Sequence, residues 1–245
     1  MPSVAADRLV SADRPVTRAA TLALWELLSA TAPPARGAAV LVARGLAPDL
    51  GAACDVPLAV AARAALADLR DRVGPVLDTV LTCPACEALL DVPLPLDDVL
   101  ADADVTPSAV RVGAVEVRGP TTADVLAALD APDPAATLRR RCVSWPAGTG
   151  PDDDADLAVR VAATAERLAG AAGASVRLGC PECGEDVLAD VDVVRLLTDR
   201  VTDQARATLA EVATLCGAFG WSEHDVLELS PARFDAYLDL ARTRV

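Results

Sequence analysis

Two short cysteine motifs constrain the fold of this chain more than any other feature. The first, LTCPACEALLDVPL, contains Cys83 and Cys86, and the second, LGCPECGEDVLADV, contains Cys180 and Cys183. A shift of 97 residues superposes the two motifs and places Pro84 on Pro181, with a series of Leu and Val positions also in register. Alternating apolar residues on both sides of each motif predict two strands, so we expect each motif at the tip of a β-hairpin. A helical pattern precedes and follows each hairpin, which makes the two segments an internal repeat.

The chemistry of this pattern favours metal binding. The two-residue gap in C-x-x-C lets both thiolates face one ion, and the proline between them stiffens the turn. A glycine after the second cysteine provides the positive φ angle that such a turn prefers. Gly184 fills this place in the second motif, whereas Glu87 fills it in the first. Together the motifs supply four thiolates, and we expect the four cysteines to hold one structural zinc ion, as in a zinc ribbon.

Other uses of the cysteines stay open at this point. The chain has seven cysteines, and an odd number argues against a disulfide framework. The four motif cysteines could instead form two redox-active pairs or remain as buried thiols. A thioredoxin-type pair begins a helix in a βαβ unit, whereas these motifs join two strands. A closed site of four thiolates leaves no coordination position for a substrate, so such a site is structural.

The remaining pattern predicts an α+β chain that is mainly helical, with the two hairpin knuckles forming a zinc-ribbon-like element flanked by helices. We expect an N-terminal helical region over 1–75, and a C-terminal helical region over 194–245. The central region, 76–198, contains the knuckles at 76–96 and 175–193, with an α/β insert between them. Aromatic residues make up only 2% of the chain, so the core has to consist of Leu, Val and Ala, which favours closely packed helices.

Several helix starts and turns carry local signals. Asp55 is a plausible N-cap, with Pro57 in the first turn of the helix that follows. Alternation about Gly113 predicts a hairpin or a bent strand over 109–118, and Thr121 or Thr122 is expected to cap the next short helix.

Charge and hydropathy exclude several classes of function. The formal net charge is -14, and all 22 basic residues are Arg, so the chain repels phosphate backbones and we expect no general nucleic-acid binding. No apolar run reaches the roughly 18 residues that a membrane helix needs, and we expect no membrane span. The N-terminus shows no basic segment followed by an apolar one, so we expect no signal peptide and a cytoplasmic location.

The sequence shows no catalytic constellation. His224 is the only histidine, the chain has no lysine, and no phosphate-binding or nucleophile motif occurs. We therefore expect a protein that is not an enzyme. Four of the six aromatic residues lie near the C-terminus and are candidates for partner binding: Phe219, Trp221, Phe234 and Tyr237. The alternative is a small C-terminal core, with Ser222 as the N-cap of a helix.

Four segments together resemble the baseplate hub assembly chaperone family of contractile phage tails and phage-like contractile injection systems, which is also called T-even-phage-like. The first is the N-terminal LALWELL helix, the second is the pair of knuckles taken together, the third is VEVRGPTTADVLAAL and the fourth is the ending LCGAFGWSEHDVLELSPARFDAYLDL. The resemblance implies a non-enzymatic assembly factor or structural subunit of a baseplate. Its implied partners are the baseplate hub or other tail and injection-system proteins.

Two functions from other classes remain as alternatives. A zinc-ribbon regulator that binds nucleic acid or the transcription machinery would need a basic face, and the run at 139–141 is the only cluster of arginines. A redox protein would use the two C-x-x-C pairs with their thiols free of metal.

Overall fold

The computed structural model describes residues 16–102, 108–151, 153–170 and 174–243. The expectation about a leader sequence concerns residues 1–15, which lie outside the described residues. The fold is mainly helical with small antiparallel sheets, which confirms the α+β class. The chain divides into two compact units, the first over Thr31–Leu197 and the second over Arg14–Ala30 and Thr198–Val245.

The helices, in chain order, are α1 (Arg18–Ala30), α2 (Arg36–Ala43), α3 (Leu50–Cys54), α4 (Leu58–Val73), α5 (Leu96–Asp102), α6 (Thr122–Leu129), α7 (Pro134–Cys142), α8 (Ala155–Gly170), α9 (Val193–Phe219), α10 (Glu223–Leu227) and α11 (Pro231–Thr243). The strands are β1 (Val76–Thr82), β2 (Leu89–Pro95), β3 (Ala109–Val112), β4 (Val115–Arg118), β5 (Val143–Ser144), β6 (Ala174–Gly179) and β7 (Asp186–Val191). A short 3-10 turn, Pro33–Ala35, precedes α2. Among these helices, none is long and apolar enough to cross a membrane.

The helical part of the first unit is built from small and aliphatic residues, as the composition predicted. Leu41 on α2 and Leu69 on α4 are fully buried, and so is Ala64 on α4. A Cβ atom placed on Gly37 would lie 3.2 Å from the Cβ of Ala61, so the glycine lets α2 approach α4 closely. Close packing of small residues lets the two helices form a buried core from Ala, Val and Leu side chains.

Both predicted hairpins are present. Strands β1 and β2 pair antiparallel from Val76↔Pro95 to Thr82↔Leu89. Strands β6 and β7 pair in the same way from Ala174↔Val191 to Gly179↔Asp186. The repeat extends to burial, because the equivalent positions Leu90 and Val187 are both buried. Each hairpin therefore presents one apolar face and carries its cysteines at the tip.

The insert between the two knuckle hairpins contains a further hairpin, β3–β4, and a helix that covers it. The sequence predicted a hairpin or a bent strand here, and the structure has the hairpin. Gly113, with a φ of 63°, turns β3 back into β4, and β5 pairs with β4. Val117 of β4 packs against Leu168 of α8 in a small apolar core. Thr121 caps α6 through a capping box with Asp124, which decides between the two candidate threonines.

One predicted helix start is wrong. Asp55 follows the end of α3 as its C-cap and does not cap the next helix. Helix α4 begins at Leu58, and Pro57 is the residue before it, without a side-chain cap. The N–H of Leu58 donates to the carbonyl of Pro120 at 2.8 Å, so a contact with the insert fixes this helix start.

The second unit surrounds a separate core. Phe234 of α11 is fully buried together with Leu215 of α9 and Val226 of α10. Ser222 caps α10 by accepting a hydrogen bond from the N–H of Asp225, as expected. The capping fixes the sharp turn that brings α10 and α11 back onto the end of α9.

Candidate metal centre

The tips of the two hairpins meet and bring the four motif cysteines together. Their sulfur atoms all lie within 4.8 Å of one another, and this is a group of side chains that could hold a metal ion. The two separations resolved between hairpins are 3.8 Å, from Cys83 to Cys183, and 3.7 Å, from Cys86 to Cys180. Each hairpin therefore contributes two sulfurs, and each sulfur has a close neighbour on the other hairpin.

These distances match a metal site better than a disulfide. A disulfide needs its two sulfurs about 2.05 Å apart. A tetrahedral zinc ion, with metal–sulfur bonds of about 2.3 Å, places its four sulfurs at separations of about 3.8 Å. The observed 3.7 and 3.8 Å correspond to the edges of such a tetrahedron. The donor set and its spacing therefore fit one ion bound by four thiolates.

The backbone at the two tips is almost the same. The N–H of Cys83 donates to the carbonyl of Ala88 at 2.9 Å, and the N–H of Cys180 donates to that of Glu185 at 2.8 Å. Glu87 and Gly184 follow the second cysteine in each turn, and both have a positive φ, 61° and 76°. Glu87 is the only non-glycine with positive φ among the described residues. The glutamate thus adopts the conformation that the glycine adopts in the other repeat.

Backbone N–H groups in these turns point at the sulfur atoms. Those of Cys86 and Ala85 donate to the sulfur of Cys83 and lower the pKa of this thiol to about 7. At Cys86, the N–H of Ala88 acts in the same direction. The hydrogen bond with the Cys183 thiol, partial desolvation and the other two sulfurs outweigh it, and raise the pKa of Cys86 to about 12. Four adjacent thiols resist full ionisation because the resulting thiolate charges repel, and a bound cation reduces this repulsion.

The surroundings of the four sulfurs differ in a regular way. The first cysteine of each motif is buried, with Cys83 at 0% and Cys180 at 3% exposure, whereas Cys86 and Cys183 are exposed. The two buried cysteines belong to a small apolar cluster between the hairpins. Leu90 from one hairpin and Val187 from the other are part of it. The site is thus a surface centre with an apolar floor, which suits a structural ion joining two hairpins.

The predicted aromatic residues divide into two groups. Phe219 and Trp221 stack with ring centroids 4.7 Å apart, and Tyr237 meets the ring of Trp221 edge-on at 4.8 Å. These three side chains are half-buried. Phe234 is completely buried and lies under the guanidinium of Arg18, which is 3.6 Å from its ring centre. Phe234 therefore belongs to the core of the second unit, and the other three rings pack against that core while remaining half-exposed.

A buried ion cluster in the insert was not predicted. Asp124 is only 1% exposed and accepts hydrogen bonds from Arg118 at 3.0 Å and from the Nε of Arg141 at 2.7 Å. Burial opposes its ionisation, but the hydrogen bonds, from Arg118 first, outweigh this and hold the pKa of Asp124 well below its usual range. The sequence signals were the T-x-x-D capping box and the arginine run at 139–141, and neither by itself indicates a buried ion cluster. The cluster joins β4 to α6 and α7.

Comparisons with known proteins add no family. No protein-family model matches the chain, and neither a curated protein nor a solved structure matches it. The resemblance to baseplate proteins therefore stays a hypothesis based on the four sequence features.

Proposed function

We propose that this protein is a non-enzymatic assembly factor or structural subunit of a contractile-tail or injection-system baseplate, stabilised by one structural zinc ion. The observation that carries the proposal is the convergence of four cysteines from two hairpins that lie 97 residues apart in the sequence. Such a site makes a rigid element from two hairpins that are marginal by themselves, since an isolated two-stranded hairpin is unstable in water.

The ligand set supports zinc. A tetrahedral site with four thiolates takes zinc or iron, and zinc is the usual ion in structural knuckles of this spacing. When bound, the ion would offset half of the negative charge of the four thiolates and link the two hairpin tips covalently through its ligands. The residues that would hold it are Cys83, Cys86, Cys180 and Cys183.

Metal content is the first test. We expect the purified full-length chain to contain one zinc per molecule by elemental analysis, and no thiol among the four that reacts before the metal is removed. A preparation with stoichiometric iron would contradict zinc, and one with four freely reacting thiols would support the redox alternative. The lone Cys216 serves as an internal reference for an unligated thiol in the same sample.

The baseplate part rests on the resemblance and on the protein-binding character of the chain. The half-buried ring cluster of Phe219, Trp221 and Tyr237 supports it, because aromatic side chains are enriched at binding hot spots. Co-expression with the neighbouring tail proteins, followed by affinity purification and size-exclusion chromatography, is the direct experiment. We expect a stable or transient complex with a hub or other tail protein, and absence of any association contradicts the proposal. Presence of the chain in mature particles would identify a resident subunit, and its loss from them would identify a chaperone.

The nucleic-acid alternative depends on the arginine run at the end of α7. Arg141 in this run is bound to the buried Asp124, and Arg140 donates to Thr137 at 2.8 Å. These local hydrogen bonds reduce what the run can offer to a phosphate backbone. A gel-shift series that shows binding at physiological salt would favour the alternative over the baseplate proposal.

A further inference from the structure

The two hairpins differ at the free edges of their second strands, β2 and β7, in the backbone groups that these edges offer to another strand. In each hairpin the pair next to the turn is hydrogen-bonded, through Cys83 to Ala88 and through Cys180 to Glu185. Hydrogen-bonded and non-hydrogen-bonded pairs alternate along an antiparallel ladder. The registers then place residues 89, 91, 93 and 95 of β2, and 186, 188 and 190 of β7, in non-hydrogen-bonded pairs. The backbone N–H and C=O groups of these residues point away from the partner strand, toward the free edge.

Prolines block this edge in the first hairpin. Pro93 and Pro95 occupy two of the outward positions of β2 and have no N–H to offer. The positions that correspond to them, 97 residues later, are Asp190 and Asp192. Asp192 instead caps α9, where its carboxylate accepts from the N–H of Arg195. The edge of β7 therefore keeps the outward N–H groups that β2 lacks.

The open edge also carries an exposed apolar side chain. Leu188 is 62% exposed, and it stands where the first hairpin has Asp91. Asp186 and Asp190, also exposed, lie on either side of it on the same face of β7. Among the described residues, the outward N–H groups of Leu188 and Asp190 make no hydrogen bond. An unprotected strand edge with an exposed leucine is a site for strand addition.

We propose that the free edge of β7, over residues 186–190, binds an extended segment of a partner protein by β-strand addition. The segment carries an apolar residue flanked at alternate positions by Arg or Lys. This proposal rests on the proposed protein-binding function and deepens it, because it names the binding surface and the chemistry of the partner segment.

Charge decides which segment fits. The incoming strand lies beside β7, so its side chains on this face meet Asp186, Leu188 and Asp190 directly. Opposite charges in cross-strand pairs contribute roughly 0.2–1 kcal/mol each, and the net charge of -14 attracts a cationic segment over a longer distance. Arg177 lies on β6, opposite Leu188 of β7, and is therefore one strand further from the incoming segment.

The same charges disfavour a second copy of this chain as the occupant. An antiparallel pair of β7 edges, centred on Leu188, would place Asp186 of one copy opposite Asp190 of the other. Like charges opposite each other are destabilising. A heterologous basic strand is therefore the better fit.

The test measures peptide binding to the metal-loaded full-length chain by fluorescence anisotropy. The probe is a seven-residue peptide with Arg, Leu and Arg at alternate positions and Thr between them, and the control peptide has Glu in place of Arg. We expect the basic peptide to bind and the acidic peptide to bind at least about tenfold more weakly. Equal binding of both peptides, or no binding of the basic one, overturns the proposal.

Edge variants connect the binding to β7. Asp190→Pro removes one outward N–H and copies the proline that the first hairpin already tolerates at Pro93, so the hairpin is expected to fold. We expect at least about a tenfold loss of affinity from this variant, and a smaller loss, of about two- to fivefold, from Asp190→Ala, which keeps the N–H. Arg177→Ala, on the far strand, is the matched control and leaves affinity within about twofold.

A second variant protects the test against misfolding. Leu188→Asp copies Asp91 of the first hairpin and removes the apolar contact, and we again expect at least about a tenfold loss. If either variant retains native circular dichroism and wild-type peptide affinity, the proposal is overturned, and dimerisation through this edge in sedimentation experiments would overturn it as well. The two proposals fail in different experiments. If the proposed function is wrong, the wild-type chain does not associate with tail proteins. If only the strand-addition proposal is wrong, the chain associates with tail proteins and the edge variants do not change that association.

Discussion

Exchanging the residues at the two knuckle tips tests whether tip geometry controls metal binding. Glu87 and Gly184 occupy equivalent places with φ angles of 61° and 76°. The N–H of each donates at 2.9 Å to the carbonyl of the first cysteine in its own knuckle. We predict that Glu87→Gly strengthens metal binding and that Gly184→Ala weakens it.

The magnitude follows from the backbone conformation. An L-residue in the left-handed region costs about 1–2 kcal/mol, whereas glycine costs about 0.5–1 kcal/mol in additional unfolded-chain freedom. Glu87→Gly therefore stabilises the closed knuckle by a net of about 0.5–1 kcal/mol, or about two- to fivefold in metal affinity. A Cβ atom on Gly184 meets no atom within 4 Å, so Gly184→Ala carries the conformational cost alone. We expect about 1 kcal/mol, or about a fivefold weaker affinity.

The assay is competition for zinc between the full-length chain and a chromophoric chelator at equilibrium. Gly74→Ala is the matched control, because Gly74 also has a positive φ, 89°, and open space around it but lies at the end of α4. This control is expected to lower the free energy of unfolding without changing zinc affinity. Unchanged affinity in both knuckle variants, or weaker binding by Glu87→Gly, would refute the reasoning.

Three further predictions follow from the described contacts. Cys180→Ser should release the metal and expose Cys83 on the other hairpin to maleimide labelling. Cys216→Ser is the control. Continued protection of Cys83 in the Cys180→Ser variant would show that the knuckles do not share an ion. Asp124→Asn should destabilise the first unit by about 2 kcal/mol in urea unfolding at pH 7, since it leaves two arginines without their carboxylate. Because the folded pKa of Asp124 is lowered, this contribution is complete above about pH 4. It is lost only as the pH falls through the folded pKa, so a wild-type advantage that already disappears near pH 5 would contradict the prediction. Arg18→Ala should destabilise the second unit by about 1 kcal/mol, through loss of its ion pair and of its stacking on the core phenyl ring, and Arg18→Lys should recover part of this.

Features that depend on a few neighbouring residues were predictable from the sequence. The caps at Thr121 and Ser222 and the turn at Gly113 depend on contacts within about four residues, and each hairpin pairs two strands that are neighbours in the sequence. The start of α4 was wrong for the opposite reason. A local preference favoured Asp55 as its cap, but the hydrogen bond from Leu58 to Pro120, far along the chain, sets the start of the helix.

The ion cluster around Asp124 was not predicted from the sequence, because it too depends on residues from different elements of the fold. The sequence contained its capping box and an arginine run, and each had a local interpretation. Only the fold brings Arg118 at the end of β4 and Arg141 in α7 to one buried carboxylate. The four-cysteine cluster was easier to predict, because each C-x-x-C motif brings two cysteines together locally and the repetition of the motif indicated the other two.

The internal repeat separates two requirements that a single hairpin would have to combine. Metal binding needs the features that the hairpins share, namely the cysteines, the positive φ after the second cysteine and the N–H groups directed at sulfur. Partner binding, as proposed, uses a feature that they do not share, the strand edge that Pro93 closes in β2 and Asp190 leaves open in β7. The prolines of β2 remove one of the strand edges at which a partner strand or another copy could add. Under the two proposals, the asymmetry of the strand edges would direct a partner to the β7 side of a four-cysteine cluster to which both hairpins contribute two ligands.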